Sequence, residues 1–328
     1  MCVLVTGGAG FIGSHIAATL SQQNHDVAIC DWLGKEDKWK NLQKTVPVAI
    51  VPPENLHAWL KDNSQSISAV VHMGAISATT ETDVDLIINS NFTLSVALWH
   101  FCSRVEIPFI YASSAATYGD GKRGFEDKTD DTNMSQFKPL NPYGWSKHLF
   151  DRWVLKQVNN GLKHPPKWAG LKFFNVYGPN EYHKGSMKSV IAQNYEKIIS
   201  GEAIRLFKSY HPDYVDGGQM RDFIYVKDCV KVIAWMLENH FKSDIYNVGS
   251  GTARSWNDLG RSIFSAIGID PKFEYIEMPD ELRGRYQYFT EASMDKIKSA
   301  GCPVDFFSLE DGIADYVNTY LSAEDPYF

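Results

Sequence analysis

The sequence predicts an α/β protein: a Rossmann-type, doubly wound parallel sheet with helices on both faces, joined to a smaller mixed α/β lobe. Three observations carry this. Short apolar runs without alternation recur through the first half, as strands buried on both faces require. Longer segments with apolar residues at helical spacing lie between them. A glycine-rich turn separates the first such run from the first helical segment.

Taken in order, Val3-Leu4-Val5 is the first strand, and Ile12, Ile16, Ala17 and Leu20 then share one helical face. Val27-Ala28-Ile29-Cys30, Ala69-Val70-Val71-His72 and Pro108-Phe109-Ile110-Tyr111 are further buried strands, with a helix over 94–104 before the last. In the second half Phe173-Phe174, Phe223-Ile224-Tyr225 and Ile245-Tyr246-Asn247-Val248 read as strands between loops crowded with Pro, Gly and aromatic residues. No repeat or low-complexity tether separates the halves. The lobes are therefore expected to interleave, with residues 1–172 and 226–249 in one domain and 173–225 and 250–328 in the other.

The 328 residues are 44% hydrophobic and 22% charged, which places the chain among folded globular proteins. A net charge of −7 argues against a general nucleic-acid binder while leaving room for a local basic pocket. Five cysteines without a CxxC pair, and ten histidines without an HxxxH spacing, supply no disulfide framework and no metal site. No apolar run reaches the roughly 18 residues needed to span a bilayer, and no basic leader precedes the first strand. A cytoplasmic protein without a membrane partner is the expectation.

Thr6-Gly7-Gly8-Ala9-Gly10-Phe11-Ile12-Gly13 places glycines at 7, 10 and 13. Gly7 allows the tight turn, Gly10 lets backbone approach a pyrophosphate, and Gly13 lets helix pack close to strand. The helix start then offers N–H groups and partial positive charge to phosphate. Asp31, 18 residues beyond Gly13, can accept hydrogen bonds from an adenosine ribose, as NAD requires. Lys35 and Lys38 follow, and either could hold the 2′-phosphate of NADP.

Tyr143 and Lys147 form YxxxK just after Pro142. On a helix opening there they share one face. An ammonium beside it would lower the phenol pKa from about 10, so that Tyr143 could take a substrate proton as hydride leaves. A second YxxxK, Tyr118 to Lys122, contains two glycines and reads as a loop. Ser113 and Ser114 follow the strand ending near Tyr111, where parallel-sheet ligands bind.

TGGAGFIG, SSAATYG, YGWSK, FFNVYGP and RDFIYVKD, in this order and spacing, resemble the extended short-chain dehydrogenase/reductase family over essentially the whole chain. The stretch Asn175-Val176-Tyr177-Gly178-Pro179-Asn180-Glu181-Tyr182-His183-Lys184-Gly185-Ser186-Met187, supported by Ala78–Glu81 and Gly284–Gln287, is similar to that of the family branch that epimerises ADP-heptose at carbon 6. The resemblance implies that Ser114 binds the reacting hydroxyl, Tyr143 is one acid/base, Lys147 holds the nicotinamide ribose, and Lys184 is a second acid/base on the opposite face of the sugar carbon. It implies a cofactor site of Gly7, Gly10, Phe11, Ile12, Gly13, Asp31, Trp32, Lys38, Gly74, Ala75, Ser77, Asn91 and Val176 with Tyr143 and Lys147. NADP is favoured and NAD remains possible. It implies ADP-sugar contacts from Ser114, Asn175, Ser186, Gln193, Phe207, Arg221 and Tyr286, with Arg285 as a further cation. It also implies a homo-oligomer of pentameric kind, working in lipopolysaccharide-core heptose synthesis.

Three stretches depart from the family pattern: Val51-Pro52-Pro53-Glu54-Asn55 near the expected adenine site, His72-Met73-Gly74-Ala75, and a long 208–220 loop. Two alternatives stay open on the residues alone, a UDP-hexose 4-epimerase and a non-catalytic NADP-sensing regulator. A 4,6-dehydratase is disfavoured, because Ala115 and Ala116 stand where it needs acid/base side chains.

Overall fold

The computed structural model describes residues 2–283, 286–303 and 305–328, leaving aside the side chain of Glu281. Gly284 and Arg285 of the expected substrate stretch lie outside the described residues. Twelve strands are found among the described residues: β1 (Cys2–Thr6), β2 (Asp26–Cys30), β3 (Ala49–Val51), β4 (Ile67–His72), β5 (Phe109–Ser114), β6 (Trp168–Phe173), β7 (Asn175–Tyr177), β8 (Ile204–Phe207), β9 (Met220–Tyr225), β10 (Asp244–Val248), β11 (Ala253–Ser255) and β12 (Phe273–Ile276).

Seven of them form one parallel sheet in the order β3-β2-β1-β4-β5-β6-β10. Both faces are covered by helices, which is why β1 and β6 are buried along their whole length and read as unbroken apolar runs. The chain leaves β1 for β2 on one side and reaches β4 on the other. The strand order therefore reverses at β1/β4, where a crevice opens beyond the strand ends.

The second lobe holds a three-stranded sheet, β11-β9-β7, and the parallel pair β8/β12. Its core contains Phe11 from the first turn of the Phe11–Gln22 helix, alongside Tyr177, Phe223 and Tyr225. That ring, with Ile12 packed beside it, ties the start of the helix to the second lobe.

Two sequence expectations shift. The strand expected at Phe173-Phe174 is the end of β6, which begins at Trp168, while Phe174 lies in the link to β7. Lys172 disguised this strand, because a buried lysine is rare without a partner. Strands β3, β8, β11 and β12 gave no clear signal; each is three or four residues long.

Candidate active site

The crevice is a cavity of about 760 Å³, lined from both lobes. Gly7, Gly10, Phe11, Ile12 and Gly13 form its floor at the β1 end, and Asp31, Trp32 and Lys38 its wall beyond β2. Gly74, Ala75 and Ser77 follow β4, while Ser114, Tyr143, Lys147, Val176 and Lys184 surround the far end.

The glycine turn is built for close approach. Gly7 adopts φ +65°, and a Cβ there would stand 2.6 Å from the Gly74 nitrogen. A Cβ on Gly13 would meet the Gly7 carbonyl oxygen at 2.1 Å. Gly10 is the helix N-cap and supplies no side chain to the first turn. The N–H groups of that turn therefore have no side-chain acceptor and face the cavity with the helix's positive end. This cradle fits the pyrophosphate of a dinucleotide.

Below the turn, Thr6 Oγ1 is 2.6 Å from His72 Nδ1 and accepts the Gly74 N–H at 3.2 Å. The His72-Met73-Gly74-Ala75 departure thus fixes the two strand ends to each other. Asp31 accepts the Ala9 N–H at 2.9 Å and the Lys38 ammonium at 2.6 Å. Acid and base at this end are one ion pair, and both line the wall. The other departing stretch contributes Glu54, which accepts from the Trp32 indole at 2.9 Å and also lines the cavity.

Tyr143 and Lys147 lie on the Pro142–Asn159 helix. Asn141 caps it, accepting the Gly144 N–H at 2.8 Å, and Pro142 occupies its first position. The spacing of four brings both side chains to one face. Ser114 ends β5 beside them and hydrogen bonds the Tyr143 phenol. Burial raises the Tyr143 pKa, and the Ser114 bond opposes it. The sequence expectation assigned that opposition to Lys147. In the protein alone it comes from Ser114, and desolvation of the phenol outweighs it. Burial also pushes the Lys147 ammonium down to about 8.

Lys184 reaches the cavity from the Tyr182–Met187 turn, its ammonium 5.2 Å from the Phe11 ring centroid. Burial lowers its pKa, and Glu181 pulls it back up. Among the described residues it has no ion-pair partner.

Asn91 stands behind the wall rather than on it. Fully buried, it accepts the Ile76 N–H at 2.8 Å and donates to the Ile76 carbonyl and Ser146. It holds the Gly74–Ser77 stretch against the Tyr143 helix. Asn175, Ser186 and Gln193 do not line this cavity, and all three are exposed. Gln193 donates to the Ser186 carbonyl. Phe207, Arg221 and Tyr286 gather separately: the Arg221 guanidinium lies 5.1 Å from the Tyr286 ring, and Phe207 meets that ring edge-on at 6.3 Å.

His183 is a wall residue that the motifs did not single out. Its Nδ1 is 3.2 Å from Asn41 Nδ2, which also donates to Ala9 and Asn180. Burial pushes its pKa to about 4, so it is neutral near pH 7. The only signal was its place beside Lys184.

Tyr118 of the second YxxxK is core. Its hydroxyl donates to Asn247 at 2.7 Å, while Lys122 is exposed on a loop. Among the described residues no cluster of His, Cys, Asp and Glu suits a metal, and no helix is long and apolar enough to cross a membrane.

A phosphate cradle continuous with a Ser-Tyr-Lys set is the equipment of an enzyme that oxidises or reduces a carbinol carbon with a bound nicotinamide dinucleotide. The chain belongs to the NAD-dependent epimerase/dehydratase family, whose pattern matches residues 3–249. It is 51% identical to an ADP-L-glycero-D-manno-heptose-6-epimerase of Nitratidesulfovibrio vulgaris, and 46% identical to one of Fusobacterium nucleatum, each covering 99% of both chains. Among solved structures, the ADP-L-glycero-D-manno-heptose-6-epimerase of Helicobacter pylori superposes with a TM-score of 0.80 at 28% identity, over 98% of this chain and 96% of that one. The UDP-glucose 4-epimerase of Thermus thermophilus, solved with NAD, gives 0.74 at 25% identity, over 98% and 100%.

Proposed function

We propose that this protein interconverts ADP-D-glycero-D-manno-heptose and ADP-L-glycero-D-manno-heptose by inverting carbon 6 through a transient 6-keto sugar, in the supply of heptose for lipopolysaccharide core. The observation that carries this reading is Lys184, brought by the His183-Lys184-Gly185-Ser186-Met187 turn into the cavity that holds Tyr143. Its sequence context resembles that of the 6-epimerase branch.

A nicotinamide dinucleotide held by the 7–13 glycine turn, Tyr143 and Lys147 would supply reversible hydride acceptance at carbon 6, with no net consumption. The protein's own groups handle the proton. Carbon 6 has no acidic C–H, so the hydroxyl must lose its proton as hydride leaves. Tyr143 accepts that proton in one orientation of the sugar, with Ser114 hydrogen bonded to the reacting oxygen. Lys147 holds the nicotinamide ribose and contributes positive charge beside the phenol. The carbonyl then turns within the pocket and presents its oxygen to Lys184, which returns a proton on the opposite face. Arg221, Phe207 and Tyr286 are assigned to the ADP moiety, and Asn175, Ser186 and Gln193 to the path the sugar takes toward it.

NADP is the preferred cofactor in this reading, with Lys38 released from Asp31 to meet the 2′-phosphate. The active form is a homo-oligomer, pentameric by analogy, in the cytoplasm. Residues 1–172 and 226–249 form the cofactor domain.

The decisive experiment incubates the protein with ADP-D-glycero-D-manno-heptose and resolves the carbon-6 epimers by NMR. An equilibrium mixture is expected. No interconversion, together with turnover of a UDP-hexose, would overturn the assignment in favour of a 4-epimerase.

A further inference from the structure

Beneath the Tyr143-Lys147 face lies a pair of charges that the proposed chemistry does not use. Asp151, one further turn along the same helix, is fully buried, and Lys172 on β6 is 1% exposed. Their charged atoms are 3.7 Å apart. A buried pair of this kind is weak evidence for net stabilisation, because desolvation offsets the mutual attraction.

Their remaining bonds show what the pair holds. Asp151 accepts the Ser113 hydroxyl at 2.7 Å and the Tyr111 phenol at 3.0 Å, both on β5. Lys172 donates to Thr117 Oγ1 at 2.9 Å, and Thr117 Oγ1 donates to the Ser114 carbonyl at 2.8 Å. The ammonium also lies 4.3 Å from the Tyr118 ring and 5.2 Å from Phe137. The end of β5, with Ser114 at its tip, is therefore gripped from both sides: by Asp151 through Ser113, and by Lys172 through Thr117.

We propose that Asp151 and Lys172 are positioning residues, a charge-balanced buried pair that holds Ser114 against Tyr143 and sets the pH window in which Tyr143 and Lys147 work. This rests on the acid/base reading of those two residues. Asp151 opposes ionisation of the Tyr143 phenol and favours the protonated Lys147 ammonium. Lys172 favours the ionised Asp151 carboxylate, so it keeps in place the charge that acts on both groups. Two histidines facing this region stay neutral in the working range. His72 on β4 and His148 on the helix are pushed to about 3 and about 4 by burial. Tyr111 and Tyr118 are raised well above the usual phenol value. Asp127 and Lys296 bear on Lys172 from its far side with opposite signs, and Asp244 bears on Tyr111.

The signs give a diagnostic pair of variants. In Asp151→Asn the amide keeps hydrogen-bonding capacity toward Ser113 and Tyr111 but loses the charge, and Lys172 is left uncompensated. Both the phenol and the ammonium then lose protons more readily, so the whole pH–kcat profile moves to lower pH. Lys172→Met removes the ammonium that keeps the buried carboxylate ionised, so Asp151 takes up a proton and the profile again moves to lower pH. Shifts of about half a pH unit or more to lower pH are expected in both variants, as for nearby buried charges. The double variant also lacks the carboxylate charge and moves to lower pH as Asp151→Asn does.

Epimerisation is followed from pH 5 to 10, with circular dichroism confirming folded protein, and Tyr143→Phe is run in parallel. If Tyr143→Phe keeps wild-type activity, the acid/base reading itself fails. If it is inactive while the folded single variants superpose on the wild-type profile, or shift to higher pH, the positioning role is overturned. Should a single variant not fold, the double variant decides. A profile moved to lower pH supports the proposal. A profile that stays on the wild-type one while both charges are absent overturns it.

Discussion

At the scale of single residues, the site depends on burial acting on three groups with different consequences. Tyr143 is held protonated until substrate and cofactor change its surroundings, and Ser114 is its hydrogen-bond partner. Removing the phenol hydroxyl in Tyr143→Phe should lower kcat by about 10²–10⁴, the usual worth of a positioned acid/base. Dinucleotide affinity should stay within a few fold when measured by fluorescence titration, because the pyrophosphate cradle is elsewhere. Lys147 is pushed down to about 8, against about 10.4 for a solvated lysine. Its ammonium is present below that value and is lost as pH rises through it. The rate should therefore fall on the alkaline side near pH 8, read as an alkaline limb in kcat against pH. Lys184→Ala should slow epimerisation in both directions, because each direction passes through both orientations of the carbonyl. Wild-type rates in that variant would remove Lys184 from the chemistry.

At the scale of elements, the β1–turn–helix unit and the Pro142–Asn159 helix do most of the positioning. The turn tolerates no Cβ at Gly13, where the Gly7 carbonyl is 2.1 Å away and is backbone that cannot swing aside. Gly13→Ala should therefore abolish measurable dinucleotide binding, checked by calorimetry on folded protein. The Asn141 cap is a smaller matter. Asn141→Ala should cost about 1 kcal/mol in denaturant unfolding, the ordinary value of an N-cap bond. It should also loosen the first turn that carries Tyr143. The glycine turn and the YxxxK helix were legible in the sequence because each is a local pattern. Asn91 was not legible in the same way. It was expected on the cofactor wall, and its buried bonds to Ile76 and Ser146 hold that wall from behind.

At the scale of the molecule, the cavity exists only because the chain crosses between lobes. Phe11 belongs to the first helix yet packs in the second lobe's core, and Lys184 returns from the second lobe to face it. A ligand filling this cleft binds the folded chain and not the unfolded one. NADP at 100 times its Kd should therefore raise unfolding free energy by about 2.7 kcal/mol. A thermal-shift titration with NADP and NAD in parallel reads this and ranks the two cofactors. A larger shift with NAD would reverse the preference assigned to Lys38.

What the sequence by itself determined was the sheet class, the phosphate turn and the Tyr143-Lys147 spacing. These rest on short-range rules: apolar periodicity, glycine at a positive φ, and residues four apart on one helix. The partnerships came from the tertiary structure alone. Lys172 sits in an apolar strand, and its partner Asp151, 21 residues away in sequence, is 3.7 Å from it. His183 gained meaning only beside Asn41, 142 residues distant. Arg221 was expected to meet an anion, and its company in the folded chain is the ring of Tyr286. Local chemistry fixes which elements form. Which buried charge finds which partner depends on contacts between distant segments, and no pattern along the chain encodes the distance between them.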